Sequence, residues 1–430
     1  MNKYRQFVFE KYAFDASNGL LELHYSMDGE LKFLEKYRFD FDFVQYDPKL
    51  LDRALQALFF MAGVSYYKTY IPSEIIIKQG ALDAEQAAFF SKTYQRGMGE
   101  FWFVNKLDPR TPVTLPATTG HIDPPAGDPA GQGLLVALGG GKDSLVSIEL
   151  LRGTQSITTW SLNHKAQLQP LAARIGLPQA WVEREWDTRL LELNEQDALN
   201  GHIPISGIFA CVGAIVAILS GKRDVVMSNE QSANDPTLHY EGVAINHQYS
   251  KSQEFEQDYQ QFLSHTFGEH IRYYSFLRPL SEVRIAELFS HIGFEKYKDV
   301  FSSCNRAFIH GSDHMSWCGE CSKCAFVFLA LTPFVARAEL ESMWGKNVLL
   351  DPAQEINYRK LLGIEGDKPL DCVGDVKESR AAMRLAFEQY PELAEKYQFE
   401  IPADYDYKTE ATHEMPADVY AVLKTALEKY

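Results

Sequence analysis

Hydrophobic and polar residues alternate with a period near two at the start of the chain. Tyr37, Phe39, Phe41 and Phe43 fall between Arg38, Asp40 and Asp42, so a strand here carries aromatics on one face and charges on the other. Phe7-Val8-Phe9 and residues 21–25 read the same way, with turns at Ser17-Asn18-Gly19 and Met27-Asp28-Gly29. The period then lengthens, and Leu51, Ala54, Leu55 and Leu58 form one stripe of a helix predicted from about 48 to 65. Residues 1–107 therefore predict a small α+β domain.

The pattern breaks at 108–133, which holds six of the 19 prolines together with Gly120, Gly127, Gly131 and Gly133, the composition of a linker. Beyond it, short apolar segments at 134–138, 157–162, 180–182 and 225–227 alternate with helical patterns at 143–152, 166–176, 188–199 and 206–220. Such alternation predicts a parallel sheet with helices on both faces, an α/β domain over 134–300. The polar interval 228–252 is too long for an ordinary connection, which marks it as functional. A cysteine-bearing segment follows at 301–345, then a helical region at 346–430 with helices near 375–391 and 415–429. The apolar run 208–219 is shorter than the roughly 20 residues of a membrane helix, so it reads as a buried core helix.

Composition narrows the function classes. With 430 residues, 46% hydrophobic and 23% charged, the chain has the make-up of a globular protein. The formal charge of −16 disfavours general nucleic-acid binding, since such a surface repels phosphate backbones. The start shows no secretory pattern. Four of the six cysteines lie between Cys304 and Cys324, pointing to a reducing compartment, hence a cytoplasmic protein, and to a metal site rather than a disulfide framework.

The sharpest local signal is the run from Leu134 through Gly139-Gly140-Gly141-Lys142-Asp143-Ser144. A buried strand enters three glycines and then a helix that Asp143 or Ser144 can cap. Glycines let the backbone approach an anion, and the unpaired N–H groups of a helix start favour phosphate. A Walker loop is excluded, because its first glycine falls on Val136 and Lys142 is followed by Asp143. A dinucleotide fingerprint fails too, with Ser144 in place of the last glycine and no acidic residue near Leu162-Asn163-His164.

The cysteines Cys304, Cys318, Cys321 and Cys324 present a Cys-Gly-x-Cys knuckle with a third thiol at the next helix start and a fourth upstream. Four thiolates close a coordination shell, which suits a structural metal. Zinc is the first reading; an iron–sulfur cluster is the second, lacking the Cys-Pro of the bacterial motif. Cys211 and Cys372 stand alone, and Cys211 reads as core.

The glycine loop resembles the Ser-Gly-Gly-x-Asp-Ser loop of the PP-loop ATP pyrophosphatases, with Gly139 in place of the usual serine and so one hydroxyl contact fewer. The resemblance implies an ATP site at Gly139, Gly140, Gly141, Lys142, Asp143 and Ser144. In it, Gly140, Gly141 and Ser144 cradle pyrophosphate and Asp143 helps hold Mg²⁺. The cysteine group resembles that of the enzymes forming the nitrile of 7-cyano-7-deazaguanine.

Further segments resemble another family across nearly the whole chain: Met61 to Lys68, Tyr94 to Glu100, Ser228-Asn229-Glu230, Asn246 to Lys251, Trp317-Cys318-Gly319 and Lys368 to Gly374. They are similar to the bacterial UDP-N-acetylmuramoyl-L-alanyl-L-glutamate epimerases. That resemblance implies ATP-dependent inversion of a terminal L-Glu of a UDP-muramoyl dipeptide through an acyl-adenylate, with AMP and pyrophosphate released. Adenylation neutralises the carboxylate that otherwise makes the Cα–H a very weak acid. A base on one face and an acid on the other then invert the centre.

The interval after the 225–227 strand lies where ligands of parallel sheets bind. Asn229, Glu230, Tyr249 and Lys251 are therefore candidates to meet substrate, with Glu230 or His247 as general base. His314 is a candidate fifth ligand or acid, and Lys68 and Arg96 are candidates for the UDP phosphates. The alternatives within the resemblance are another adenylating reaction, such as nitrile formation or tRNA thiolation, and a nucleotide-sensing module.

Overall fold

A computed structural model describes residues 3–125, 129, 131–308 and 312–430; Gly127 of the linker lies outside the described residues. Its main feature is a mixed nine-stranded sheet in the order β11-β8-β5-β6-β7-β3-β2-β1-β4. The strands are β1 (Gln6–Asp15), β2 (Leu20–Met27), β3 (Leu31–Asp40), β4 (Glu74–Ile77), β5 (Leu134–Ala137), β6 (Ile157–Leu162), β7 (Gln179–Glu185), β8 (Asp224–Met227) and β11 (Arg272–Ser275). The ladders from β11 to β7 are parallel, whereas β7–β3, β3–β2 and β2–β1 are antiparallel and β4 joins β1 in parallel. Residues 1–40 and the α/β segment thus share one sheet, through a ladder that sets Phe39 opposite Val182.

The pleat sends successive side chains to opposite faces. Leu135, Val225 and Tyr273 enter a core with the helices Pro48–Ala62, Ile205–Ser220 and Gln253–Phe267. Leu134, Val136, Val226 and Tyr274 enter a second core with the helices Lys142–Leu151, Glu282–Ile292 and Ser322–Leu331 and the C-terminal helices. Helices therefore cover both faces, as the βα alternation predicts. The helix Ile205–Ser220 is buried along nearly its whole length, and Gly213 lets it lie on the sheet, since a Cβ there would meet Val225 at 2.8 Å and Trp160 at 3.2 Å. No helix among the described residues is long and apolar enough to cross a membrane.

Several bounds differ from the sequence expectations. Strand β3 stops at Asp40, so Phe41 and Phe43 lie beyond it and pack edge-on against each other at 5.2 Å. The first helix, capped by Asp47, ends at Ala62, and a short turn Val64–Tyr67 follows Gly63. The polar interval 228–252 holds a hairpin, β9 (Leu238–Tyr240) with β10 (Val243–Ile245), between two 3₁₀ turns. In the tail, Val376–Ala386 and Ala417–Lys429 stand near the two expected helices, and Glu355–Leu361 and Leu393–Lys396 are further short ones. The helix Ala84–Gly97, with a reciprocal Asp83–Gln86 capping box, and the helix Gln253–Phe267 were not foreseen.

Candidate functional site

The carboxyl ends of β5, β8 and β11 bring the glycine loop, Ser228-Asn229-Glu230 and Phe276–Arg278 to one edge of the sheet. Gly140 has φ +93°, and its carbonyl accepts a 3.0 Å hydrogen bond from Ser302 N–H. A Cβ at Gly140 would stand 2.7 Å from Met315 Sδ, whereas one at Gly139 would meet no described atom within 4 Å. The loop is thus pinned on one side by the cysteine segment and open at Gly139.

Gly141, in extended conformation, is the N-cap of the helix Lys142–Leu151. That corrects the expected capping by Asp143 or Ser144. Both lie inside the first turn, where Ser144 Oγ donates to Gly141 O at 3.0 Å rather than accepting from an N–H. No side chain among the described residues caps this helix, so its leading N–H groups and positive dipole end are left to an anion. Lys142 is fully buried and pairs with Asp143 at 2.5 Å and with Glu282. It serves that internal ion cluster, while the Asp143 side chain keeps 26% exposure.

Behind the loop lies a layer of charged side chains. Arg278, itself buried, donates to Glu230 O at 2.9 Å, Lys251 O at 2.6 Å and the Glu256 carboxylate at 2.8 Å. One guanidinium therefore fixes both the segment after β8 and the second 3₁₀ turn. Asn229 Nδ2 donates to Ser275 Oγ at 2.9 Å, a packing role on β11. The Glu230 carboxyl is buried, and burial first, then the nearby Glu282 charge, raises its pKa. Burial works against the Glu282 carboxylate, but Lys142 and Lys323 outweigh it and hold its pKa low.

Lys251 Nζ lies 3.1 Å from Cys372 Sγ. His247 Nδ1 is hydrogen-bonded to Glu100, and the ring lies 4.6 Å from that of His202. Burial opposes the His247 charge, but hydrogen bonds to Cys372 and Glu100 lift its pKa to about 9. Burial likewise opposes a Cys372 thiolate, yet the Lys251 charge and the His247 hydrogen bond bring it down to about 6. Lys323 Nζ holds the Cys372 carbonyl. Asp143, Glu230, Lys251, His247, Cys372 and Glu282 therefore form one connected electrostatic cluster.

Tyr249 points elsewhere, with its hydroxyl 3.4 Å from Asp258 and its ring against Arg96. Tyr249 and Arg96 line a cleft of about 540 Å³ with Trp102, Asn234, Ile245 and Asn246. Arg96 there is ion-paired to Glu254 at 3.1 Å. Lys68 is buried away from that cleft, bound to Asn200 Oδ1 and Gly201 O, and burial lowers its pKa to about 8. His314 is exposed and bonds Asp313 and Ser312, outside the cysteine group. The sequence reading gave no role to Cys372, Glu100, His202, Glu282 or Lys323. The signals for Cys372 and Glu100 were their places in the segments Lys368 to Gly374 and Tyr94 to Glu100.

The Sγ atoms of Cys304, Cys318, Cys321 and Cys324 lie within 4.8 Å of one another. Cys304–Cys321 and Cys318–Cys324 are each 3.8 Å apart. A tetrahedron with metal–sulfur bonds of about 2.3 Å has its sulfurs about 3.8 Å apart, so the four thiols fit a single ion. Gly319 at φ +67° turns the knuckle, and Cys321 is the N-cap of the helix Ser322–Leu331.

Comparison with known proteins matches residues 1–276 to a family model described as the MurL N-terminal domain and residues 300–406 to one described as the MurL C-terminal domain. A protein of Salinispora tropica is 39% identical over 392 residues, covering 89% of this chain and 85% of its own length. One from Xanthomonas oryzae is 39% identical over 390 residues, covering 88% and 85%, and one from a Micromonospora is 37% identical over 396 residues, covering 89% and 87%. All three carry the name UDP-N-acetyl-alpha-D-muramoyl-L-alanyl-L-glutamate epimerase.

Proposed function

The chain belongs to the MurL family of epimerases, and we propose that it inverts the terminal L-Glu of UDP-N-acetylmuramoyl-L-Ala-L-Glu to D-Glu for peptidoglycan synthesis. The reaction consumes ATP, releases AMP and pyrophosphate, and belongs in the cytoplasm. The observation that carries this reading is the juxtaposition of an uncapped, glycine-led helix start with a layer of proton-handling side chains at one sheet edge.

The glycine loop, with N–H groups from Gly140 to Ser144, binds the outer phosphates of ATP. Asp143, partly exposed and next to that turn, is the residue that would hold Mg²⁺, which would supply charge neutralisation on the phosphates. The glutamyl carboxylate takes the adenylyl group as pyrophosphate leaves. Lys142 pairs with Asp143 and holds Glu282 in its ionised form. Once the carboxylate is a mixed anhydride with AMP, loss of the Cα proton no longer places two negative charges on adjacent atoms, and after inversion water cleaves the anhydride to release AMP. The His247 imidazolium can return a proton, and Glu230, whose pKa burial and the Glu282 charge raise, is the second candidate for that step. Lys251 offers a cation to the developing enolate oxygen. The cleft beside Tyr249 and Arg96 receives the UDP-muramoyl portion. Cys304, Cys318, Cys321 and Cys324 would hold zinc in a structural role, which would brace the segment whose Ser302 N–H bonds Gly140.

The test is incubation with Mg-ATP and UDP-N-acetylmuramoyl-L-Ala-L-Glu in deuterated water. Pyrophosphate, AMP, a D-Glu terminus and deuterium at Cα should appear together. Cleavage of ATP to ADP and phosphate, or inversion without ATP, contradicts the reading.

A further inference from the structure

We infer that the Cys372 thiolate is one of the two groups that exchange a proton with the glutamyl Cα, a role that rests on the epimerase reading above. The two cysteines outside the metal group have opposite surroundings. Cys211 is buried in the apolar helix Ile205–Ser220, where burial pushes its thiol up to about 12; it is inert packing. Cys372 instead faces Lys251 Nζ at 3.1 Å and His247, with Lys323 on its own carbonyl.

The loop that carries Cys372 is fixed on both sides. Asp371 accepts hydrogen bonds from Ser322 Oγ and, at 2.9 Å, from Asn305 Nδ2, while Val373 is fully buried. His247 is held in turn by Glu100. Two cations against one sulfur stabilise a thiolate and repel a further metal ion, so the geometry suits a base better than a ligand. A thiolate there is ionised at neutral pH and mostly buried, so little water must be displaced before it acts.

The step balances as follows. A sulfur lone pair takes the Cα proton to give S–H. The C–H electron pair becomes the Cα–C π bond of the enolate, with a carbonyl pair moving to oxygen near Lys251. The opposite face then receives a proton from a second acid, for which the buried Glu230 carboxyl of the same cluster is the candidate. Cys372 and Glu230 return to their starting states by exchange with solvent, where deuterium enters.

Cys372→Ala and Cys372→Ser should each lower D-Glu formation and Cα deuteration by about 10²- to 10⁴-fold, the usual contribution of a positioned acid or base, with circular dichroism and bound metal unchanged. In the wild-type protein, iodoacetamide should alkylate Cys372 with a reactivity midpoint near pH 6, and Lys251→Met should move that midpoint upward. UDP-N-acetylmuramoyl-L-Ala-L-Glu should slow the alkylation by about tenfold or more. Wild-type deuteration in Cys372→Ala overturns the inference. So does a thiol that reacts only above pH 8 or is not protected by substrate, or a substrate acyl group found on Cys372 by intact mass after quenching. If wild-type enzyme inverts substrate without pyrophosphate release, the adenylation reading fails while Cys372 is still judged by deuteration and alkylation.

Discussion

At the residue scale, the strand-to-helix turn at the glycine loop was legible because its signal is local: an apolar strand, three consecutive glycines and a helical pattern follow one another directly. Cys372 was not, because its chemistry comes from Lys251, 121 positions away in sequence. Asp143→Ala should abolish pyrophosphate release by about 10²-fold or more if it holds the phosphate-bound cation, without loss of fold, since its side chain is partly exposed; a coupled pyrophosphate assay beside circular dichroism decides it. The Cys372–His247 pair makes a second, thermodynamic prediction. His247 is raised from 6.5 to about 9, so its contribution to stability is full below pH 6.5 and lost as pH rises through 9. Cys372 is lowered from 9.0 to about 6, so its contribution is full above pH 9 and lost as pH falls through 6. The deficit of Cys372→Ala relative to wild type should therefore grow from pH 6 to 9, and that of His247→Gln should shrink over the same range. Urea midpoints measured across that window check both signs, and parallel curves would show that the two groups do not titrate as a pair.

At the element scale, most helices and strands of the βα region were readable from periodicity, because each buries one face against the sheet. The helix start after the glycines was misread in detail. Asp143 and Ser144 look like caps by type, but the turn at Gly140 moves the cap to Gly141, which leaves the N–H groups open. Gly140→Ala should cost about 1–2 kcal/mol from the left-handed φ alone, and more because the added Cβ also meets Met315 Sδ at 2.7 Å. It should weaken ATP binding more than dipeptide binding, as titration calorimetry with each ligand would show; equal effects would mean a general loss of structure. The cysteine knuckle acts on the same loop from the other side through Ser302. One metal ion per chain is expected by elemental analysis. Cys321→Ser, or removal of the ion by a strong chelator, should lower the melting temperature and loosen nucleotide binding; a metal-free protein with unchanged nucleotide affinity would uncouple the two.

At the scale of the whole molecule, the alternation in residues 1–40 announced strands but not their partner, since pairing across the β3–β7 seam depends on where a distant strand ends up. That seam carries a buried ion pair. Arg184 on β7 donates to Glu35 on β3 at 2.8 Å, with side chains 8% and 0% exposed, and Tyr37 and Ser65 complete the network. The first 107 residues also bring Glu100 to His247, so the proposed site draws on residues from both sides of the seam. Removing Arg184 leaves the Glu35 carboxylate buried among Tyr25, Tyr37 and Tyr66, a situation that costs about 3–5 kcal/mol. Arg184→Met should therefore destabilise the protein by that amount, and the double variant with Glu35→Met should recover most of it, because replacing a buried pair by apolar side chains is often near neutral. Both variants should still unfold in one urea transition, with amides of residues 1–107 and 134–300 exchanging together, since a continuous sheet and a shared core leave no plane on which the halves part. Two separated transitions would make the β3–β7 ladder an interface between independent domains, and the carboxylate behind His247 would then be delivered by docking rather than by folding.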